Sequence, residues 1–139
     1  MRVLIADDQK TVGTTLAALV TQCGHDVVEV VSSGLEAIQA YTRHQPDVVL
    51  MDYWMPRLNG ATACRNILAR DPNAKIILVS GAVLTPEITE AGAIAILSKP
   101  VSLEPLYGAL YAAGTPRPRP AEPERIDEAE SAGEREPLD

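Results

Sequence analysis

A chain of 139 residues, 46% hydrophobic and 22% charged, has the size and make-up of one folded domain with a real core. Its formal net charge of −7 argues against a nucleic-acid backbone as partner, because that needs clustered Lys and Arg. No apolar run approaches membrane-spanning length, which excludes a helical membrane anchor within this sequence.

In chain order, Arg-Val-Leu-Ile-Ala (2–6) predicts a short buried strand that ends on Asp7-Asp8. That acidic pair also interrupts any secretory apolar region, so a cytoplasmic location is expected. Val12, Leu16, Leu19 and Val20 recur at helical spacing and predict a helix over 10–23, stopped by Gly24. Residues 26–31 are β-branched and predict a second strand. Ser33-Gly-Leu-Glu36 reads as a capping box, opening a helix that turns Leu35, Ile38 and Tyr41 inward and ends before Pro46.

Val48-Val-Leu-Met51 predicts a third strand buried on both faces, and it stops on the carboxylate of Asp52. Pro56 and Gly60 punctuate a loop before a third helix over 60–70, with Ala63, Ile67 and Leu68 on one face. Residues 75–80 predict a fourth buried strand ending on the hydroxyl of Ser80. Thr85-Pro86-Glu87 reads as an N-cap with proline at the first helical position, opening a short helix that Gly92 stops. A fifth strand is expected over 94–97, followed by Ser98-Lys99-Pro100. Ser102 caps a last helix with Leu103, Leu106, Tyr107 and Leu110 facing in, where Gly108 costs roughly 1 kcal/mol relative to Ala.

Strand and helix alternating five times imply a parallel sheet with helices on both faces, a three-layer α/β sandwich. From Gly114 the composition changes: Thr-Pro-Arg-Pro-Arg-Pro (115–120) is polyproline-like, and 121–139 is dominated by Glu, Asp and Arg. The expected organisation is a domain over 1–113 and a disordered, solvated tail over 114–139, with partner recognition through the prolines as the lesser reading of that tail. Cys23 and Cys64 have no CxxC spacing and are expected as reduced, part-buried thiols, and His25 and His44 as surface side chains.

The strand ends deliver Asp7, Asp8, Asp52, Ser80 and Lys99 to the carboxyl edge of the sheet, where open α/β folds bind ligands. Two like charges 4 Å apart cost about 4 kcal/mol at an effective dielectric near 20, so three acids in one pocket call for a cation. Oxygen-only ligation suits Mg²⁺. A cation beside a lysine and a hydroxyl is a site for a phosphoryl group, and Asp52 is placed to act as its nucleophile.

With Asp7-Asp8, Asp52-Tyr-Trp-Met-Pro56 closed by Gly60, Ser80-Gly81 and Lys99-Pro100 in this order and spacing, the chain from 1 to about 113 resembles a receiver domain of two-component response regulators. The resemblance implies a flavodoxin-like, chemotaxis-regulator-like five-stranded sheet in the order 2-1-3-4-5 with five helices, the fourth shortened. It further implies that Asp52 accepts a phosphoryl group from a histidine kinase or histidine phosphotransfer protein. Asp8, Asp52 and the Trp54 carbonyl would bind Mg²⁺ directly, and Asp7 would act through water. Lys99 would contact the phosphoryl group through a strand end closed by a cis Lys99–Pro100 bond, and Ser80 would reorient toward it.

Two departures from the family pattern stand out. Ile96 occupies a position the family usually fills with an aromatic residue, and the stretch from Ser80 to Lys99 is shorter than usual by about one helical turn of ~3–4 residues. A bulky Trp54 could shield the site or stand exposed to a partner, and Ala82 lies where the family tunes the life of the phosphoryl bond.

The expected function is a stand-alone phosphorylatable receiver, a monomer or weak dimer, signalling by binding a downstream protein or acting as a phosphate sink. A non-switching interaction module of the same fold is the alternative. An aspartyl-nucleophile phosphatase is the third class, disfavoured because Trp54 stands where such enzymes carry a second acid.

Overall fold

Five strands and five helices alternate along the chain in the computed structural model, which describes residues 1–81 and 83–114. They are β1 (Arg2–Ala6), α1 (Lys10–Gln22), β2 (Asp26–Val31), α2 (Gly34–His44), β3 (Val48–Asp52), α3 (Gly60–Arg70), β4 (Ile76–Ser80), α4 (Pro86–Thr89), β5 (Ala95–Ser98) and α5 (Leu103–Gly114). The strands form one parallel sheet in the order β2-β1-β3-β4-β5, as expected. α4 has four residues, so the shortened fourth helix is also present as expected. Gly114 belongs to α5, one residue into the span assigned to the tail, and the rest of that expected tail lies outside the described residues. No described helix is long and apolar enough to cross a membrane.

Successive side chains of a strand point to opposite faces, and the two cores show that period of two. Val3 and Ile5 of β1, Val48 and Leu50 of β3, and Ile77 and Val79 of β4 pack with Leu16 and Val20 of α1 and Leu106 and Leu110 of α5. The intervening residues Leu4, Ala6, Val49, Met51, Ile76 and Leu78 pack on the other face with α2, α3 and Ile88 of α4. β3 and β4 are buried at every position, which is why both read as unbroken apolar runs. β2, at the edge, leaves Val30 exposed.

Several local expectations change. In α2 the buried residues are Gly34, Ala37, Ile38, Ala40 and Tyr41; Leu35 sits about 100° round the helix from Gly34 and is exposed rather than inward. In α5 the stripe is Leu106, Leu110 and Ala113, which leaves Tyr107 exposed one residue off it and Leu103 exposed ahead of it. Ser33 Oγ does accept the Glu36 N–H (3.1 Å), but the Glu36 carboxylate reaches past the cap to the Ser32 N–H (2.9 Å) and hydroxyl (3.1 Å).

Thr85 precedes α4 without a side-chain cap; its carbonyl accepts the N–H groups of Ile88 and Thr89, both at 2.9 Å. Both cysteines are free thiols, Cys64 buried and Cys23 half-buried, as expected. The histidines are half-buried rather than free on the surface. His25 Nδ1 lies 2.9 Å from the N-terminal amine, and His44 Nε2 lies 2.7 Å from Glu29 Oε1.

Candidate functional site

Parallel pairing sets the strand ends level. Ala6 pairs with Met51, Asp52 with Val79 and Ser80 with Ser98, so the chain turns out of β1, β3, β4 and β5 along one edge. Asp7, Asp52 and Ser80 are buried there, Asp8 is half-buried, and Lys99 follows the last residue of β5. The acidic cluster, the lysine and the hydroxyl expected from sequence thus share one edge of the sheet. Ligand atoms of Asp7, Asp8 and Asp52 lie within 4.8 Å of one another.

The backbone holds this edge tightly. Tyr53 N–H donates to the Val79 carbonyl (2.7 Å) and Lys99 N–H to the Ser80 carbonyl (3.0 Å), and the Lys99–Pro100 bond is cis, as expected. Gly60 N–H donates to the Tyr53 carbonyl (2.7 Å), closing the loop after β3. A Cβ at Gly60 would lie 2.2 Å from the Asp52 carbonyl oxygen, so this close approach needs glycine. Asn59 then caps α3, its Oδ1 accepting the Thr62 N–H at 2.9 Å.

Charge is unevenly compensated. Lys99 Nζ lies 3.0 Å from Asp52 Oδ1 and 3.4 Å from Asp7 Oδ2. Asp7 divides its oxygens: Oδ1 accepts the Gln9 N–H (2.9 Å) in the turn into α1, while the buried Oδ2 accepts no hydrogen bond. Burial pushes the Asp52 carboxyl above its ordinary range; the Lys99 hydrogen bond opposes this, and the charges of Asp7 and Asp8 add to it. For Lys99, burial acts downward, but the hydrogen bond and charge of Asp52, with Asp7 behind it, raise the ammonium above its usual value.

These donors fit a hard divalent cation. They are oxygens only, they converge within one ion's reach, and one of them is a buried carboxylate oxygen without a hydrogen-bond donor. A cation there, next to the Lys99 ammonium, makes a binding place for an anionic group that would bond to Asp52.

Trp54 turns its side chain to solvent, 71% exposed, which favours the partner-facing alternative over a shield. Ile96 is half-buried and packs against the core beneath α3 and α4. Ala82 lies outside the described residues. A set of contacts beside the site escapes sequence reading altogether. The Tyr53 hydroxyl donates to Glu87 Oε1 (2.7 Å) and Asn59 Nδ2 to Glu87 Oε2 (3.1 Å), across sequence separations of 34 and 28 that leave no local signal.

A parallel sheet in the order β2-β1-β3-β4-β5 with three acids, a hydroxyl and a lysine at its carboxyl edge defines a flavodoxin-like domain with its ligand site at that edge. Residues 3–111 match the family described as the response regulator receiver domain, and the chain belongs to that family. Over 102 residues it is 38% identical to the chemotaxis protein CheY of Thermotoga maritima, covering 71% of this chain and 85% of that one. It is also 38% identical over 107 residues to a protein-glutamate methylesterase/protein-glutamine glutaminase of Geobacter metallireducens, covering 72% of this chain but only 30% of that longer protein. Among solved structures, a chain of the complex of CheX, CheY, BeF₃ and Mg²⁺ from Borrelia burgdorferi superposes with a TM-score of 0.78 at 26% identity, covering 84% of this chain and 90% of that one.

Proposed function

We infer that this receiver accepts a phosphoryl group on Asp52 from the phosphohistidine of a histidine kinase or phosphotransfer protein. The observation that carries the reading is Lys99 Nζ held 3.0 Å from Asp52 Oδ1 beside the convergent oxygens of Asp7 and Asp8. The Asp52 carboxylate oxygen attacks phosphorus, the P–N bond breaks, and the leaving imidazole takes up a proton from solvent. Lys99, already drawn to Asp52, swings its charge onto the incoming phosphoryl oxygens. Ser80, buried at the end of β4, is the hydroxyl that turns toward them.

Asp8, Asp52 and the Trp54 carbonyl would hold Mg²⁺ directly, with Asp7 acting through water. When bound, the cation supplies the countercharge that lets phosphoryl oxygens enter an acidic pocket.

We read the chain as a signalling protein of the cytoplasm, not a dedicated enzyme, that works by binding another protein or by draining phosphoryl groups from a relay. The relatives with methylesterase names extend well beyond the matched span, so their activity is not carried over to this chain. The four-residue α4 and aliphatic Ile96 favour one second reading, a receiver-fold interaction module whose surface does not respond to phosphorylation.

Acetyl phosphate and Mg²⁺, followed by intact-mass measurement, test the first reading. Wild type should gain one phosphoryl mass and Asp52→Asn none. Equal labelling of both, or of neither, overturns the assignment. Amide shifts that stay within the acidic pocket, with no change in α4 or β5, would point to a phosphate sink, and no response at all would favour the second reading.

A further inference from the structure

Glu87 stands at the head of α4, and its carboxylate is held from both ends of the loop that follows Asp52. Tyr53, at the start of that loop, donates its hydroxyl to Oε1 (2.7 Å), and Asn59, at its end, donates its amide to Oε2 (3.1 Å). Arg65 of α3 adds a long contact from its guanidinium to the Glu87 carbonyl (3.5 Å). The loop itself has no slack. The Tyr53 backbone is bonded on both sides, to Val79 and Gly60, and Gly60 lies against the Asp52 carbonyl. Movement at Asp52 is therefore passed to Tyr53 and Asn59 rather than absorbed between them. Ile96, the half-buried aliphatic residue of β5, offers no polar side-chain link to α4.

We propose that the Tyr53–Glu87–Asn59 bridge is a latch of the unphosphorylated state that sets the affinity of the acidic pocket for a phosphoryl group. The reasoning on sign is electrostatic. Glu87 is the one charged member of the bridge, and its partner Tyr53 is the residue next to Asp52 in the chain. Conversion of the Asp52 carboxylate to an acyl phosphate makes the pocket about one unit more negative with the cation present in both states. That added charge opposes the Glu87 carboxylate and weakens its hold on the loop. Opening the latch frees the head of α4 and the segment before it, where Val83 is 85% and Leu84 53% exposed. By linkage, whatever opens the latch must strengthen phosphoryl binding by the same factor that phosphoryl binding loosens the latch.

The inference rests on phosphoryl acceptance at Asp52, and beryllofluoride with Mg²⁺ separates the two ideas. Titrations followed by amide NMR would compare wild type, Tyr53→Phe, Glu87→Ala and the double variant, with thermal melts confirming that each is folded. Tyr53→Phe should bind the analogue about fivefold more tightly than wild type, the factor that one net hydrogen bond supplies, and Glu87→Ala, which removes both bonds of the bridge, by more than that. The ligand-free amide signals of each single variant over 87–91 should already lie toward the positions wild type reaches when bound. The double variant should gain no more than the Glu87 variant, because both changes open one latch. Equal affinity in all four proteins, or weaker binding by the single variants, overturns the latch while leaving Asp52 as acceptor. No beryllofluoride shift at Asp52 or Lys99 in wild type overturns acceptance, and the latch with it.

Discussion

Asp52→Asn should stabilise this protein in the absence of divalent cations, even though Asp52 makes the shorter of the two Lys99 contacts. At a separation of up to 4.8 Å, each repulsion from Asp7 and Asp8 is worth about 3–4 kcal/mol at an effective dielectric near 20. The Lys99 contact at 3.0 Å returns about 5–6 kcal/mol on the same scale. Two repulsions thus outweigh one attraction by roughly 1–2 kcal/mol, with relief of burial adding to the variant's gain and screening at the half-exposed Asp8 reducing it. For a domain of this size that is a rise of about 4–8 °C in Tm.

The sign with pH follows from the direction of the Asp52 shift. Its carboxyl is raised in the folded state, so its contribution is destabilising above that raised value. The contribution fades as pH falls through it and is gone below the ordinary carboxylate range. Wild type should therefore catch up with the variant on acidification. Mg²⁺ should reverse the order at neutral pH. A cation at a hundred times its Kd stabilises wild type by about 2.7 kcal/mol, and the variant has lost an anionic ligand. Thermal melts by circular dichroism, in EDTA and in MgCl₂ across pH, read all three effects. A variant that melts below wild type in EDTA at neutral pH, or gains as much from Mg²⁺, would refute the charge accounting.

Two glycines should respond to alanine with opposite signs in the same melts. Gly60→Ala places a methyl 2.2 Å from the Asp52 carbonyl oxygen and should cost about 2–3 kcal/mol or more, whereas Gly108→Ala meets no atom within 4 Å in α5 and should add about 0.5–1 kcal/mol. A Gly60 variant as stable as wild type would mean that the loop between Asp52 and Gly60 yields to an added methyl. The thiols should also separate. Burial pushes Cys64 up to about 11, so a thiol reagent at neutral pH should modify Cys23 first and Cys64 only on unfolding. Equal rates for the two would contradict the packing of α3.

Much of this was legible in sequence because the relevant signals are local. β3 and β4 announce themselves as apolar runs ending on Asp52 and Ser80, and parallel pairing then leaves little choice about which residues meet at the edge. Side-chain direction on helices was less legible. Leu35 and Tyr107 are apolar enough to read as core, but each is one residue off a buried stripe that partner elements fix. The Glu36 carboxylate likewise prefers Ser32, whose N–H and hydroxyl offer it two donors against the single N–H of the cap. The Tyr53–Glu87–Asn59 contacts were out of reach, since none of the three residues carries a pattern that points to the others before the chain is folded.

Asp7 has one oxygen fastened to the Gln9 amide and the other buried toward Lys99, so architecture and chemistry divide between two atoms of a single side chain. An asparagine there keeps the oxygen that turns the chain into α1 and exchanges the other for an amide donor that repels cations. One nucleotide change thus removes one of the pocket's three negative charges and keeps the bond that starts α1. Such an exchange is invisible to backbone superposition and plain at residue 7.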